Sequence, residues 1–345
     1  VVRLRRADGA GPGIARVRQG KGFSYRGPEG ARLTDQGTLQ RIRTLAIPPA
    51  WRDVWICPWP NGHIQALGTD DAGRRQYRYH DEWRRKRDEA KHDHVLDVAE
   101  RLPMARDVVR KHLAVRGYRR ERVLACAFRL LDLGFFRVGS EAYAEENDTF
   151  GLATMRKEHA SVRAGVVTFE YVAKGSQERV QSVVDPEVAT IVRGLIKADT
   201  TYDELLAYRV GRAWRDVKSA DINDYLREVV GTEVSAKDFR TWHATVLMAV
   251  GLAVSADAPE SKTARKRAVT RAVQEVATYL GNTPAVCRSA YIDPRIVDLY
   301  EDGATIRPAL ERLGDDNDFG APATHGEVET AVLQLLGRRM PSKRT

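Results

Sequence analysis

Four short stretches carry side chains able to act on an anionic oxygen. They are Phe136-Arg137-Val138-Gly139, Lys174 in a Lys-Gly-Ser turn signal, Lys237-Asp238-Phe239-Arg240, and Leu280-Gly281-Asn282 followed nine residues later by Tyr291. An arginine offers a planar fork of donors that suits phosphate better than the point charge of lysine. A phenol ionises at about pH 10, so it becomes a useful nucleophile near neutrality only where nearby cations ease its ionisation. Each residue alone has an ordinary explanation. Arg137 reads as a surface arginine, Lys174 as a turn lysine, Arg240 as an ion-pair partner and Tyr291 as packing material with a polar tip.

Other chemistries find less support. The eight histidines are scattered, with His92 and His94 the only close pair, and read as surface residues. No Cys or carboxylate cluster has metal-ligand spacing, so no metal is expected. Adjacent carboxylates such as Asp70-Asp71 and Glu145-Glu146 diverge on a strand or helix and read as solvated or ion-paired. No Gly-rich loop ending in Lys-Ser/Thr is present, and the glycines at 9–13 follow no strand, so neither a nucleotide nor another cofactor is expected. The three cysteines, Cys57, Cys126 and Cys287, are widely spaced and odd in number, which argues against a disulfide framework and for a reducing compartment.

The elements that must position these residues follow from patterning. A chain of 345 residues is long for one core and suggests two domains or more. Lys and Arg total 56 against 47 Asp and Glu, a net charge of +9, which favours a polyanionic partner. No stretch approaches the roughly 20 apolar residues that span a bilayer. Residues 1–20 read as a flexible tail. Residues 21–92 read as a small β-rich domain, with strands at Phe23–Arg26, Val54–Trp59, His63–Leu67 and Arg75–Tyr79, a hairpin signal at Asn61-Gly62 and a helix at Leu39–Ala46. Residues 93–345 read as a mainly α-helical domain, giving an α+β chain overall. A charged run, Trp83–His94, leads into helices at Leu102–Leu113 and Arg120–Leu133, where Arg106, Arg110, Lys111, Arg116, Arg119, Arg120 and Arg122 form basic faces, either solvated or DNA-contacting. An inserted β-hairpin has Val167, Phe169 and Tyr171 on one face and Lys174-Gly175-Ser176 at its turn, and Val180–Val184 returns. Further helices are expected at Tyr202–Ala213, Ala220–Val230 and Ala264–Leu280, the last stopped by Gly281. Thr283-Pro284 and Asp293-Pro294 read as helix starts. An acidic loop, Asp315–Asp318, precedes a helix near Glu327–Leu336, and residues 338–345 form a basic tail.

From about residue 21 to about residue 300 the sequence resembles the catalytic domain shared by type IB topoisomerases and tyrosine recombinases, and more closely the poxvirus and bacterial topoisomerases. In that family an aromatic pair precedes Arg-x-Gly and an acidic stretch, as in Phe135-Phe136-Arg137-Val138-Gly139 with Glu145 to Thr149 after it. The catalytic lysine sits on a hairpin turn, as Lys174 does. A Lys-Asp-x-Arg-Thr run is matched by Lys237 to Thr241, and Gly-His-Thr-Pro…Tyr by Gly281-Asn282-Thr283-Pro284 and Tyr291. Asn282 stands where the poxvirus enzymes carry His, so it can donate a neutral hydrogen bond but cannot become a cation. Gln76-Tyr77-Arg78-Tyr79 resembles a run in which a Gln and two Tyr touch DNA, and Tyr143 matches another DNA-contacting position. Ser140 replaces a family lysine, so the viral sequence preference is not carried over to this chain.

The resemblance implies a bacterial, cytoplasmic, nucleoid-associated monomer that closes around duplex DNA as a clamp. It implies an ATP-independent reaction in which Tyr291 attacks a backbone phosphate, forms a 3′-phosphotyrosyl link, lets the duplex swivel, and religates. Arg137 and Arg240, with Asn282, would stabilise charge on the nonbridging oxygens. Lys174 would protonate the leaving 5′-oxygen, and Lys237 would add supporting charge. A tyrosine recombinase shares the catalytic residues, but usually has His where Lys237 stands and lacks the N-terminal match. A non-catalytic DNA clamp would use the basic surface alone and form no covalent adduct.

Overall fold

A computed structural model describes residues 3–255, 261–315 and 324–337. The chain divides into two compact units, Val1–Asp93 and His94–Thr345. The fold is mixed, with antiparallel sheets in both units.

The first unit is a five-stranded sheet carrying one short helix and the start of a long one. Its strands are β1 (Ile14–Gln19), β2 (Gly22–Arg26), β3 (Arg52–Ile56), β4 (Ile64–Thr69) and β5 (Arg75–Tyr79), in the order β2-β1-β3-β4-β5. The helix α1 spans Gln36–Thr44, and the Asp35 carboxylate caps it by accepting from the Thr38 amide at 2.7 Å. A small core of Ile14, Ile42, Val54, Ile56 and Ala66 lies beneath. The expected tail over residues 1–20 is corrected here: Ile14–Gln19 is an interior strand of the sheet. Ile14 alone in that strand is buried, so no alternating apolar pattern advertised it. Asn61-Gly62 does not make a two-residue turn. Residues 57–63 form the connection, and neither Asn61 nor Gly62 has the positive φ that such a turn requires.

The second unit contains most of the helices and the larger core. Helix α2 (Asp81–Leu113), whose residues up to Asp93 belong to the first unit, is continuous through Pro103 and absorbs both the charged run Trp83–His94 and the helix expected from Leu102. Arg85 pairs with Glu82 and Glu89 at helical spacing, which supports the polar first half. After α3 (Arg120–Gly134) and α4 (Glu141–Asn147) come β6 (Ala160–Arg163), β7 (Val166–Ala173) and β8 (Gln177–Val184), a three-stranded sheet rather than a lone hairpin. Val167, Phe169, Tyr171 and Ala173 all face the core. Helix α5 (Pro186–Ile196) follows. The helix expected over Tyr202–Ala213 is instead a hairpin of β9 (Ala207–Val210) and β10 (Ala213–Asp216), turned at Gly211 with φ +61°. The remaining helices are α6 (Ser219–Val230), α7 (Ala236–Val254), α8 (Lys262–Leu280), α9 (Pro284–Ala290), α10 (Pro294–Glu301), α11 (Arg307–Asp315) and α12 (Glu327–Leu335). Tyr225, Phe128, Phe136, Phe169, Phe239 and Trp242 are buried at the centre of this unit. The basic tail 338–345 and the acidic residues 316–318 lie outside the described residues. No described helix is long and apolar enough to cross a membrane.

Candidate active site

Arg137 projects from the segment that leaves α3. Phe135 ends that helix in the left-handed region, φ +57°, a conformation that costs about 1–2 kcal/mol for a residue with a side chain. Packing holds it there: its ring lies 5.2 Å from that of His243 and 6.2 Å from that of Tyr279. The next residue, Phe136, is fully buried against Phe169, with ring centroids 5.0 Å apart. With Phe136 turned inward, Arg137 turns towards the cleft. The strand of chain beyond is pinned by Leu152 and Ala153 amides, which donate to the Arg137 and Val138 carbonyls at 2.8 and 2.7 Å. Gly139 and Gly151 make this approach possible, since a Cβ on Gly151 would lie 2.4 Å from Gly139 backbone.

Lys174 begins the turn between β7 and β8, where Gly175 and Ser176 take φ of +82° and +55°. Lys237 and Arg240 stand one turn apart on the first turns of α7. Its start is fixed by Asp238, whose carboxylate accepts from the Ser235 amide at 2.8 Å and hydroxyl at 2.9 Å. Tyr291 ends α9, which begins at Thr283 with its hydroxyl accepting from the Val286 amide, and precedes α10, capped by the buried Asp293.

Arg137, Lys174, Lys237, Arg240, Asn282 and Tyr291 all line one cleft of about 570 Å³, together with Ser140, Thr149, Phe150 and Val286. All six expected catalytic residues therefore converge, although 154 positions separate Arg137 from Tyr291 in the sequence. The end of α8 arranges several of them. Gly281 takes φ +60° and the Asn282 amide returns to the Ala277 carbonyl at 3.0 Å, a turn that leaves later carbonyls pointing outward. Arg240 donates to the Leu280 carbonyl at 2.8 Å and to that of Phe135. Arg137 donates to the Gly281 carbonyl at 2.9 Å and to Asn282 Oδ1 at 2.6 Å.

The electrostatics are those of a site built to hold an anion. Arg240 is 3% exposed, and burial, then the nearby Arg137 charge, push its pKa down to about 10. Burial also lowers that of Arg137. Both remain cations at neutral pH, incompletely solvated and close together, so an anion between them relieves both. The Arg240 guanidinium carbon lies 5.3 Å from the centre of the Tyr291 ring, within cation–π range. Asn282 Nδ2 and Arg240 Nε are buried donors with no hydrogen-bond partner among the described residues.

The expected DNA-contacting residues are less uniform. Tyr77 and Tyr79 share one face of the edge strand β5, their rings stacked 5.8 Å apart, with Tyr77 41% exposed. Gln76 points to the opposite face, where its amide donates to Asp70 at 2.9 Å. Tyr143 belongs to α4, but its side chain lies outside what the structure describes.

Two expectations about charged groups are corrected. Arg106 is not on a basic face. It is bound in the core by Asp132, at 2.8 Å from each oxygen, and by Glu329 at 2.5 Å. His92 and His243 are buried rather than on the surface. Asp132, His243 and His325 place their ligand atoms within 4.8 Å of one another, a grouping that sequence spacing could not reveal. The Asp132 carboxylate there is already engaged by Arg106. Sequence reasoning also passed over Arg179, which donates to the Thr278 and Tyr279 carbonyls at 3.0 and 2.7 Å. An arginine in a polar strand carries no local signal of such a partner.

Comparison with known proteins gives these residues a family. Residues 80–311 match the model of the eukaryotic DNA topoisomerase I catalytic core, and residues 22–70 that of the bacterial DNA topoisomerase IB N-terminal domain. The chain is 28% identical over 315 residues to DNA topoisomerase 1B of Acanthamoeba polyphaga mimivirus, covering 88% of this chain and 91% of that protein. It is 21% identical over 279 residues to the vaccinia virus (strain Western Reserve) DNA topoisomerase 1B, covering 78% and 83%. A match to Schizosaccharomyces pombe DNA topoisomerase 1, 28% identical over 144 residues, covers 39% of this chain and 17% of that protein. With the catalytic-core model spanning about two thirds of its length, and a second family model accounting for much of the sheet before it, the chain belongs to the type IB DNA topoisomerase family.

Proposed function

We propose that the cleft relaxes supercoiled duplex DNA by transesterification through Tyr291. The observation that carries this reading is the convergence of one buried and one half-buried guanidinium, two lysines, an amide donor and a tyrosine on one cleft. The Tyr291 phenol oxygen forms a bond to a backbone phosphorus as the bond from phosphorus to the 5′-oxygen breaks. The phenolic proton passes to water, and Lys174 gives a proton to the departing 5′-oxygen. Reversal of the same step religates the strand, so no ATP is consumed. Arg137 and Arg240 meet the charge that gathers on the nonbridging oxygens, each such donor being typically worth about 10²–10³ in rate. Asn282 adds its Nδ2, which has no partner among the described residues, and Lys237 raises the positive potential at the rim.

The protein acts as a monomer on duplex DNA in this reading, in a bacterial nucleoid, with Tyr77, Tyr79, Gln76 and Tyr143 contacting the duplex. The test is covalent trapping. Duplex labelled on the strand segment 5′ of the nick, the one that ends in the new 3′-phosphate, is incubated with the protein and quenched in detergent, and is expected to carry a peptide linked through Tyr291. A link through any other residue, or to the 5′ end, would overturn the proposal.

A further inference from the structure

The C-terminus of α8 collects guanidiniums from three separate elements. Arg137, from the segment after α3, binds the Gly281 carbonyl; Arg240, from α7, binds that of Leu280; and Arg179, from β8, binds those of Thr278 and Tyr279. The last carbonyls of a helix lack partners within it and carry its negative partial charge, so cations gather there for a physical reason. Two of the three arginines already have a part in the chemistry. The third is not among the cleft-lining residues, but it sits on the strand that follows Lys174.

We infer that Arg179 is a positioning residue for Lys174, docking the β7–β8 turn onto the end of α8 so that the lysine stands beside Asn282 and Tyr291. The register places Arg179 opposite Tyr171, three residues before Lys174 on β7. The middle of the same hairpin is tied to the end of α3, where Gln181 donates to the Gly134 carbonyl and accepts from the Tyr171 hydroxyl. The hairpin is thereby anchored to the end of α3 at its middle and to the end of α8 two residues nearer its tip. The fit at the second anchor is close. A Cβ on Gly281 would lie 2.9 Å from Arg179 Nη1, so the glycine serves the guanidinium as well as the turn.

This inference rests on the reading of Lys174 as the proton donor, and the experiment separates the two. Single-turnover cleavage is measured on a duplex whose cleavage site has been mapped with the parent protein. The scissile 5′ bridging atom is either oxygen or sulfur. Sulfur departs as a thiolate and needs no proton. Lys174→Ala is expected to be slow on oxygen and near parental on sulfur. Arg179→Ala is expected to fall about 10²-fold on oxygen, the cost of a reacting group displaced by about 1 Å, and to return to within a few-fold of the parent on sulfur. Arg179→Lys, which keeps one donor for the helix end, should recover part of the oxygen rate. Parental amplitude on sulfur shows that each variant is folded. If Lys174→Ala is rescued by sulfur and Arg179→Ala is equally slow on both substrates, Arg179 contacts the phosphate or holds the site at large, and the inference fails. It fails also if Arg179→Ala cleaves both at the parental rate. If Lys174→Ala itself is not rescued, the proton-donor reading fails and takes the inference with it.

Discussion

Asn282 offers a direct probe of how this cleft stabilises charge. Its Oδ1 accepts from Arg137 at 2.6 Å, which leaves Nδ2 as a buried donor without a partner among the described residues. Replacing Asn282 with Ala removes that donor, and a loss of about 10²–10³ in the cleavage rate is expected. Replacing it with Asp keeps the shape and the bond to Arg137 but turns the donor into an acceptor with a full negative charge. Two like charges about 4 Å apart at an effective dielectric of about 20 repel by about 4 kcal/mol, which is about 10³ in rate. Asn282→Asp should therefore be slower than Asn282→Ala by up to that factor, since pairing with Arg137 takes up part of the charge. Folding stability should move the other way. The carboxylate gains a charge-assisted bond to a guanidinium that burial disfavours, so its Tm should match or exceed that of the parent. The assay is single-turnover cleavage under saturating protein, with thermal melts on the same preparations. An Asp variant that cleaves as fast as the Ala variant would refute the idea that this position faces the phosphate.

Two other predictions concern the core behind the site. Arg106→Met leaves Asp132 and Glu329 buried without their shared cation, and should cost about 3–5 kcal/mol, or about 10 °C in Tm; a melt within 2–3 °C of the parent would contradict this. Burial holds the His243 imidazole below its ordinary value of about 6.5. The unfolded chain takes up a proton near that pH while the folded one does not, so this residue's contribution to stability is full above about pH 6.5 and is lost as the pH falls towards the folded value. The Tm of the parent should drop between pH 7.5 and 5.5, and His243→Phe should show a shallower drop; parallel slopes would show that the histidine is not the group responsible.

The candidate site was legible because its parts lie in short local motifs. The aromatic pair before Arg137, the alternation that marks the hairpin under Lys174, and the Thr283-Pro284 and Asp293-Pro294 starts flanking Tyr291 each have a local physical cause, and each is present. What escaped notice depends on partners far along the chain. Arg106 belongs to a buried pair with Asp132 and Glu329, 223 residues away in the second case, and no helical periodicity separates it from its exposed basic neighbours. His243 sits within an apolar helix, and its polar neighbours Asp132 and His325 come from α3 and from far along the chain. Leu205, Leu206 and Ala207 looked helical beside Tyr202, whereas Gly211 reverses the chain and makes β9 and β10. Gly281 was expected to stop α8, and does, but its further role as the seat of Arg179 requires the fold.

The central claim is that this cleft cuts and reseals DNA through one tyrosine. The most direct test is incubation of the protein and its Tyr291→Phe variant with positively and with negatively supercoiled plasmid, in EDTA and without ATP. The account predicts complete relaxation of both substrates by the parent and none by the variant, which should still bind the DNA. Relaxation that survives Tyr291→Phe, or a parent protein that binds plasmid without changing its linking number, would contradict it.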